Sequence, residues 1–554
     1  MKKINVLIII VFIGLSFSSC ETVNLNDGEI NPNAIQESKS DIGLILNGAQ
    51  VSFRDFFYDI SDLGRRNTRM INQFGSYSND IPTNDATLNQ AWTNAYAGVL
   101  RSCQLVYKKD TGDYPYYRGM AEVLEAYTMV TLVDFFGDVP YSQALGTGSF
   151  PAPDAGADVY NKMLIKLDHA ITLFNQTSPN IPNDVFYVGA SGTTGNPMYQ
   201  WIKVANSLKL KIYTNLRLTI DVSGSVNQII ASGDYINSNA DDFNFKYSSN
   251  ISPDSRHPDF TSCYISGTSS FMSNSYLLLM TRDKAATPTT TYPDPRLRYY
   301  FYRQSTTSPS GTNLPCQTDP NIKICSVNTG NIKGYYGRDH ADQTGIPNIA
   351  LRNTIYGLYP AGGRYDNDYN KSVTSAGFNA GANGQGILNI LDYSYIQFML
   401  AELALTVPGV TGSPSTYLQT GVTNNISKVM NFRPDLMVGL TPVPSAGNVT
   451  SYISKVVSLY ATASSPQDKL NIIIKEFYIS CFGNGVEAYN MYRRTGFPAH
   501  SPNFIGMQSP VYPAGTFPRT MFYPNNEVIN NQNLPQHTAS TQVFWDNNAP
   551  NFID

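Results

Sequence analysis

Residues 117–141 read YRGMAEVLEAYTMVTLVDFFGDVPY, and this stretch decides the fold. Met120, Val123, Leu124, Tyr127, Val130 and Thr131 recur at helical spacing, which predicts a helix over 117–136. Phe135 and Phe136 close it on the buried side. Gly137 supplies the positive φ that a helix C-terminus asks for, and Asp138 and Pro140 prevent continuation.

Similar segments lie on both sides. Leu88, Trp92, Ala95, Tyr96, Val99 and Leu100 predict a helix over 88–107. Pro151 and Pro153 break the chain. Asp154 or Asp158 then caps a helix through Tyr160, Met163, Leu164, Leu167 and Ile171. Trp201, Val204, Ala205, Leu208 and Ile212 share one face of a helix over 198–218. Helices return over 393–405, 415–430, 451–461 and 466–482. Successive helices joined by short turns predict stacked helical hairpins of the tetratricopeptide kind, although no strict ~34-residue consensus repeats. The expected fold is therefore mostly α, a tetratricopeptide-like scaffold with long irregular insertions and a few short strands.

Between about 221 and 389 the chain turns rich in Ser, Thr, Gly, Asn, Pro and Tyr. Tyr264-Ile265 and Ile355-Tyr356 fit brief strands or loops, and Phe271 to Met280 is one of few helix signals. Its aromatic content argues for order. The expected organisation is a scaffold over about 38–220 and 390–495, a loop-built ligand face over about 221–389, and an irregular tail over 496–554, all in one domain.

The amino terminus carries a different message. Met1-Lys2-Lys3 is cationic, Ile4 to Phe17 is apolar apart from Asn5, Gly14 and Ser16, and Ser18-Ser19 precede Cys20. This is the layout of a signal peptide over 1–19, too short for a spanning helix of ~20 apolar residues. A cysteine directly after the small pair resembles a bacterial lipoprotein signal, with Cys20 acylated and 20–37 as anchor and tether. The alternative is an ordinary signal peptide. Lipid then holds the mature chain at a membrane surface.

Composition excludes other classes. Charged residues are 14% and net charge is -4, with Lys and Arg scattered, so no nucleic-acid footprint exists. Of six cysteines, Cys316 and Cys325 enclose a short loop and are the disulfide candidate. Cys103 and Cys481 sit in helical patterns and read as buried thiols. The sequence holds no HExxH helix, phosphate loop, GxGxxG turn or GxSxG elbow, so no catalytic residue is assigned and no enzyme activity is expected. Asp366, Asp368 and Asn370 alternate like the start of a calcium loop, but Lys371 and Gly377 replace the Gly and Glu such a loop needs. A turn is the other reading, and no cofactor is expected beyond that calcium.

Several blocks point one way: the leader ending at Cys20; Asn31-Pro32-Asn33; Ala91 to Tyr96; Phe135 to Tyr141; Pro293-Asp294-Pro295-Arg296-Leu297; Ile396 to Leu405; and Glu487 to Gly496. Together they resemble the SusD/RagB family of Bacteroidetes outer-membrane nutrient-binding lipoproteins. The resemblance implies a helical frame with a loop-built ligand face. It also implies lipid anchoring at the outer membrane, facing the cell exterior, and a partner, a TonB-dependent transporter of the SusC type. The implied ligand is an oligosaccharide, or in some branches a peptide; the remaining alternative is a secreted glycoside hydrolase. Acidic Glu21, Asp27 and Glu29 after the anchor loosely match a surface-export signal of that phylum.

Sugars offer apolar C–H faces and hydroxyl edges, so their sites mix aromatic rings with Asn, Gln, Asp and Arg. Three segments carry that mixture: 72–89 with Tyr77 and Asn79; 254–276 with Arg256, Tyr264 and Phe271; and 333–369 with Tyr335, Tyr336, Arg364 and Tyr365. Trp92 and Trp201 fall on helix faces and read as core, so any platform rests on Tyr and Phe. On this reading Tyr335→Ala or Tyr365→Ala weakens ligand binding with little loss of melting temperature.

Overall fold

The structure, a computed structural model, describes residues 40–553 apart from 147, 189–194, 268–270, 286–290, 306–333, 336, 344–352, 374–380, 500–505, 508–512 and 550–551. The leader, Cys20 and tether, the Cys316/Cys325 pair and Tyr336 lie outside the described residues.

The fold is mostly helical. Helix α1 (Ile42–Asn67) starts at Asp41, whose carboxylate accepts from the Gly43 N–H at 2.8 Å. Next come α2 (Ala86–Thr93), a π-helical stretch (Asn94–Leu100) and α3 (Arg101–Lys109), continuous in space. Then follow α4 (Pro115–Phe136), α5 (Gly156–Phe174) and α6 (Tyr199–Leu216). Each of these packs on the next, and α1 packs across α2, α3 and α4. The carboxyl-terminal half adds α9 (Tyr393–Thr406), α10 (Pro414–Met430), α11 (Ala446–Thr462), α12 (Pro466–Ser480) and α13 (Gly485–Thr495). The stacked hairpins expected from periodicity are present in both halves.

Helices without a counterpart in the sequence reading as specific elements include α1 itself, α7 (Ser223–Ser232) inside the stretch expected to be loop, α13, and a short helix (Asn525–Asn530) in the tail. Helix α8 (Asn274–Arg282) begins three residues later than Phe271, because Phe271 to Ser273 are taken up in backbone pairing with neighbouring loops. Tyr264-Ile265 form part of a π-helical turn (Thr261–Ile265) rather than a strand, whereas Ile355-Tyr356 lie in a strand.

The strands are short antiparallel pairs. β1 (Val139–Pro140) pairs with β2 (Pro153–Asp154), β3 (Phe243–Lys246) with β6 (Ile387–Leu391), and β4 (Phe301–Arg303) with β5 (Thr354–Tyr356). β3 and β6 tie the two ends of the middle region together, and β4 and β5 place Phe301 opposite Tyr356 within it.

Buried charge joins the helices. Asp134 on α4 is fully buried and accepts from Tyr160 on α5, from Asn215 on α6 at 3.2 Å, from Asn490 on α13 at 2.7 Å and from Trp545 in the tail at 3.1 Å. Glu402 on α9 accepts from Arg494 on α13 at 2.7 Å and from Arg217, the residue after α6, at 2.6 Å. Burial alone would raise the Glu402 carboxyl, but Arg494 and Arg217 hold it below the usual carboxylate range. Helices α1 and α13 cross so closely that a Cβ on Gly64 would stand 2.2 Å from the Gly485 carbonyl oxygen.

The block after α4 differs in one detail from its sequence reading. Gly137 does take φ of 77° and ends the helix. The cap of α5, however, comes from Asp138, which accepts from the Gly156 N–H at 2.8 Å, and not from Asp154 or Asp158. Asp154 instead accepts from the Tyr141 and Ser142 N–H groups at 3.0 and 2.8 Å, folding the turn between β1 and β2. Trp92 and Trp201 are core residues, and Cys103, Cys263 and Cys481 are buried free thiols.

Candidate functional site

The three loop segments meet on the scaffold. The Asn72 N–H donates to the Phe271 carbonyl at 2.7 Å, and the Arg338 N–H donates to the Met272 carbonyl at 2.9 Å. A bridge between Ile71 and Met272 and another between Ser273 and Arg338 complete the junction. Segments distant in sequence thus become one backbone-paired layer ahead of α8.

Side chains follow in two clusters. In the first, the Phe74 and Phe271 rings meet edge to face at 5.9 Å with the Arg338 guanidinium over both, and the Tyr77 hydroxyl lies 3.0 Å from His340 Nε2. Burial pulls the Arg338 guanidinium down from its ordinary range, with Asp342 opposing. In the second, Phe260 and Tyr264 stack at 4.9 Å, Arg256 reaches over Phe260 at 6.0 Å, and Arg364 lies over Tyr369 at 4.4 Å. The Tyr264 hydroxyl joins these parts, donating to the Tyr356 carbonyl at 2.8 Å and accepting from the Arg364 N–H at 3.0 Å.

A buried ionic knot anchors the third segment. Asp366 accepts from Arg303 Nε at 2.6 Å and from the Tyr335 hydroxyl at 2.5 Å, and Arg298 donates to its carbonyl at 2.9 Å. Asp368 is paired with Arg298 at 2.9 Å and also contacts Arg303. Burial and the Asp366 charge both push the Tyr335 phenol well above its ordinary value. The residues read as a calcium-loop start therefore face guanidinium groups, and Asn370 Nδ2 donates to the Asp368 carbonyl at 2.6 Å. Among the described residues no group of three or more His, Cys, Asp and Glu side chains is arranged to hold a metal ion.

The predicted residues divide by exposure. Tyr264, Phe271, Tyr335 and Tyr365 are 9%, 8%, 2% and 3% exposed, so their rings are packed and do not stand open as a platform. Tyr365 points elsewhere: its ring meets Tyr299 at 4.8 Å and its hydroxyl donates to the Pro442 carbonyl at 2.8 Å. Arg256 and Arg364 are half-buried, and Asn79 is exposed on a short helical turn (Tyr77–Asp80). The sequence reading had not singled out Phe74, Phe260 or Tyr369, and only Tyr369, at 42% exposure, presents a largely open ring. All three lay inside or at the end of the flagged segments, and an aromatic next to an arginine-bearing loop was the available signal.

Beside the first cluster lies an apolar cavity of about 190 Å³, lined by Tyr77, Ile81, Ala514, Met521 and Phe522 among others. Among the described residues no helix is long and apolar enough to cross a membrane.

Comparison with known proteins agrees with this architecture. Residues 35–335 match a family model described as "Starch-binding associating with outer membrane", and residues 347–547 match "Susd and RagB outer membrane lipoprotein". No curated protein matches the chain. A SusD homologue from Bacteroides fragilis is similar in fold, with a TM-score of 0.63 at 20% identity over 89% of this chain and 94% of the other. A SusD/RagB family protein from Bacteroides thetaiotaomicron gives 0.63 at 18% identity, over 92% and 100%. A chitin-binding SusD homologue from Flavobacterium johnsoniae gives 0.58 at 18% identity, over 92% and 99%. With one family model spanning more than half of the sequence and a second covering most of the remainder, the chain belongs to the SusD/RagB family of outer-membrane lipoproteins.

Proposed function

We propose that this protein captures an oligosaccharide at the cell exterior and delivers it to a TonB-dependent outer-membrane transporter of the SusC type. It works by binding without turnover. Acylated Cys20 holds it at the membrane, and the tether over 20–37 lets the folded part reach its partner.

The observation that supports this most is the convergence of three sequence-distant loops on one rigid helical frame. Binding groups are best placed on loops held by a stiff scaffold. Here buried rings pack within the two clusters, Tyr369 and Asn79 are exposed, and Arg256 and Arg364 are half-buried. Such a surface can stack a pyranose C–H face and exchange hydrogen bonds with its hydroxyls. The fold likeness to a chitin-binding homologue is in keeping with a glycan.

The test is titration of the mature protein with malto-, chito-, xylo- and galacturono-oligosaccharides and with mixed peptides, with product analysis in parallel. Saturable glycan binding with no product is expected. Binding of peptides alone would move the reading to a peptide-capture protein, and release of cleaved sugar would overturn it. Co-purification with a SusC-type barrel tests the hand-over, and an uncomplexed protein in mild detergent would count against it.

A further inference from the structure

Arg338 differs from its neighbours on the loop face. Arg256 is paired with Asp254 at 2.7 Å, Arg298 with Asp368 at 2.9 Å, and Arg303 with Asp366 at 2.6 Å. Among the described residues Arg338 has no carboxylate within ion-pair distance, although it is only 8% exposed. Its Nε is fully buried and has no acceptor. Asp342 opposes that desolvation only from beyond ion-pair distance, and a desolvated cation without a direct partner costs stability.

The side chain is held, not merely trapped. Its Cζ lies 4.2 Å from the Phe271 ring centre and 5.1 Å from that of Phe74, and the two rings stand at 74° to form a corner. Cation–π attraction recovers part of the lost hydration. The backbone is fixed on both sides: the Arg338 N–H donates to the Met272 carbonyl at 2.9 Å, and the Asn274 N–H donates to the Arg338 carbonyl at 2.9 Å.

The adjoining ladder positions carry more unmet polar groups. Ser273, bridged to Arg338, has a buried Oγ without a partner. Asn72, bonded through its N–H to Phe271, has both side-chain amide atoms buried without partners. A planar guanidinium presents its N–H donors in a fork that matches an oxyanion, and hydroxyl and amide donors satisfy the remaining oxygens.

We infer that Arg338, with Ser273 and Asn72, is an oxyanion subsite, so that the captured oligosaccharide carries acidic sugars bearing a carboxylate or a sulfate ester. This inference rests on the glycan-binding reading above. Phe271 and Phe74 orient the guanidinium, and the acid group of the ligand supplies the direct ion-pair partner that Asp342 does not.

The test compares wild-type affinity for oligogalacturonate with that for its carboxyl-reduced form, and for a sulfated galactan oligosaccharide with that for its desulfated form. At least one acidic member is expected to bind ten-fold or more tighter than its neutral counterpart, and the pair that does so separates carboxylate from sulfate. Arg338→Gln is expected to lose that preference, and Arg338→Lys to restore it only in part. Melting of each variant is followed by circular dichroism; if Arg338→Gln does not fold, the wild-type comparison decides alone. Equal or tighter binding of the neutral members, or an unchanged preference in folded Arg338→Gln, would overturn the subsite. Absence of binding to any glycan would overturn the underlying reading instead.

Discussion

Replacing Asp366 by alanine should loosen the third loop by undoing its buried knot. Asp366 is fully buried and takes two hydrogen bonds from Arg303, at 2.6 and 3.1 Å, and one from Tyr335 at 2.5 Å. Removing one partner of a buried ion pair costs about 3–5 kcal/mol, because the other charge is stranded. Arg303 is 2% exposed but keeps Asp368, whose side chain is 43% exposed, so the lower end, about 3 kcal/mol, is expected. If stranding is the cause, removing the stranded cation as well must help. The double variant Asp366→Ala/Arg303→Met should therefore be about 1–2 kcal/mol more stable than Asp366→Ala alone, a coupling of the size contacting residues show. Urea denaturation monitored by fluorescence measures both, with an unchanged m value as the check on two-state behaviour. Additive losses in the double variant, or an Asp366→Ala protein within about 0.5 kcal/mol of wild type, would refute the argument.

Tyr335→Ala and Tyr365→Ala should each lose about 3 kcal/mol, because both rings are buried. That replaces the expectation of a nearly unchanged melting temperature, and unchanged melting would show that the rings are exposed in solution. Gly64→Ala should melt well below wild type, since the added Cβ meets the Gly485 backbone at 2.2 Å and overpacking costs about 1–3 kcal/mol or more; an equal melting temperature would contradict the close crossing of α1 and α13. Burial lowers His257 to about 4, with Asp259 opposing and Arg65 assisting. The unfolded chain then binds the extra proton between about 6.5 and 4, so this contribution is complete above 6.5 and is lost as pH falls toward 4. His257→Gln should show a shallower fall in urea midpoint over that window, and an identical slope would count against a buried neutral imidazole. Cys20→Ala should move the protein from the membrane to the soluble fraction, and unchanged membrane retention would refute lipid anchoring.

The scaffold was legible because helical periodicity is local. Helices α4, α6, α9 and α10 lie where their apolar spacing placed them, and Gly137 ends α4 as its lack of a side chain allows. Helix α1 was missed although Leu46, Ala49, Phe53, Phe57, Ile60 and Leu63 hold the right spacing. Its glycines and polar flanks masked the period, and one of them, Gly64, sits against Gly485 of α13, a contact that only the fold reveals.

The site was legible in its segments and not in its orientations. Nothing local tells whether Tyr335 points to solvent or to Asp366, 31 positions away. Nor could spacing show that Arg338 would settle over Phe74 and Phe271 while Arg303 found two carboxylates. Those outcomes depend on backbone pairing among 71–72, 271–273 and 337–338, which is non-local by nature.

The most direct test of the central claim is hydrogen exchange on the mature protein with and without the tightest-binding oligosaccharide of the panel. The account predicts slowed exchange in 71–80, 254–273, 335–341 and 364–371, with helices α4 and α5 unchanged. Protection confined to α4 and α5, or none in the three loops under saturating sugar, would contradict it.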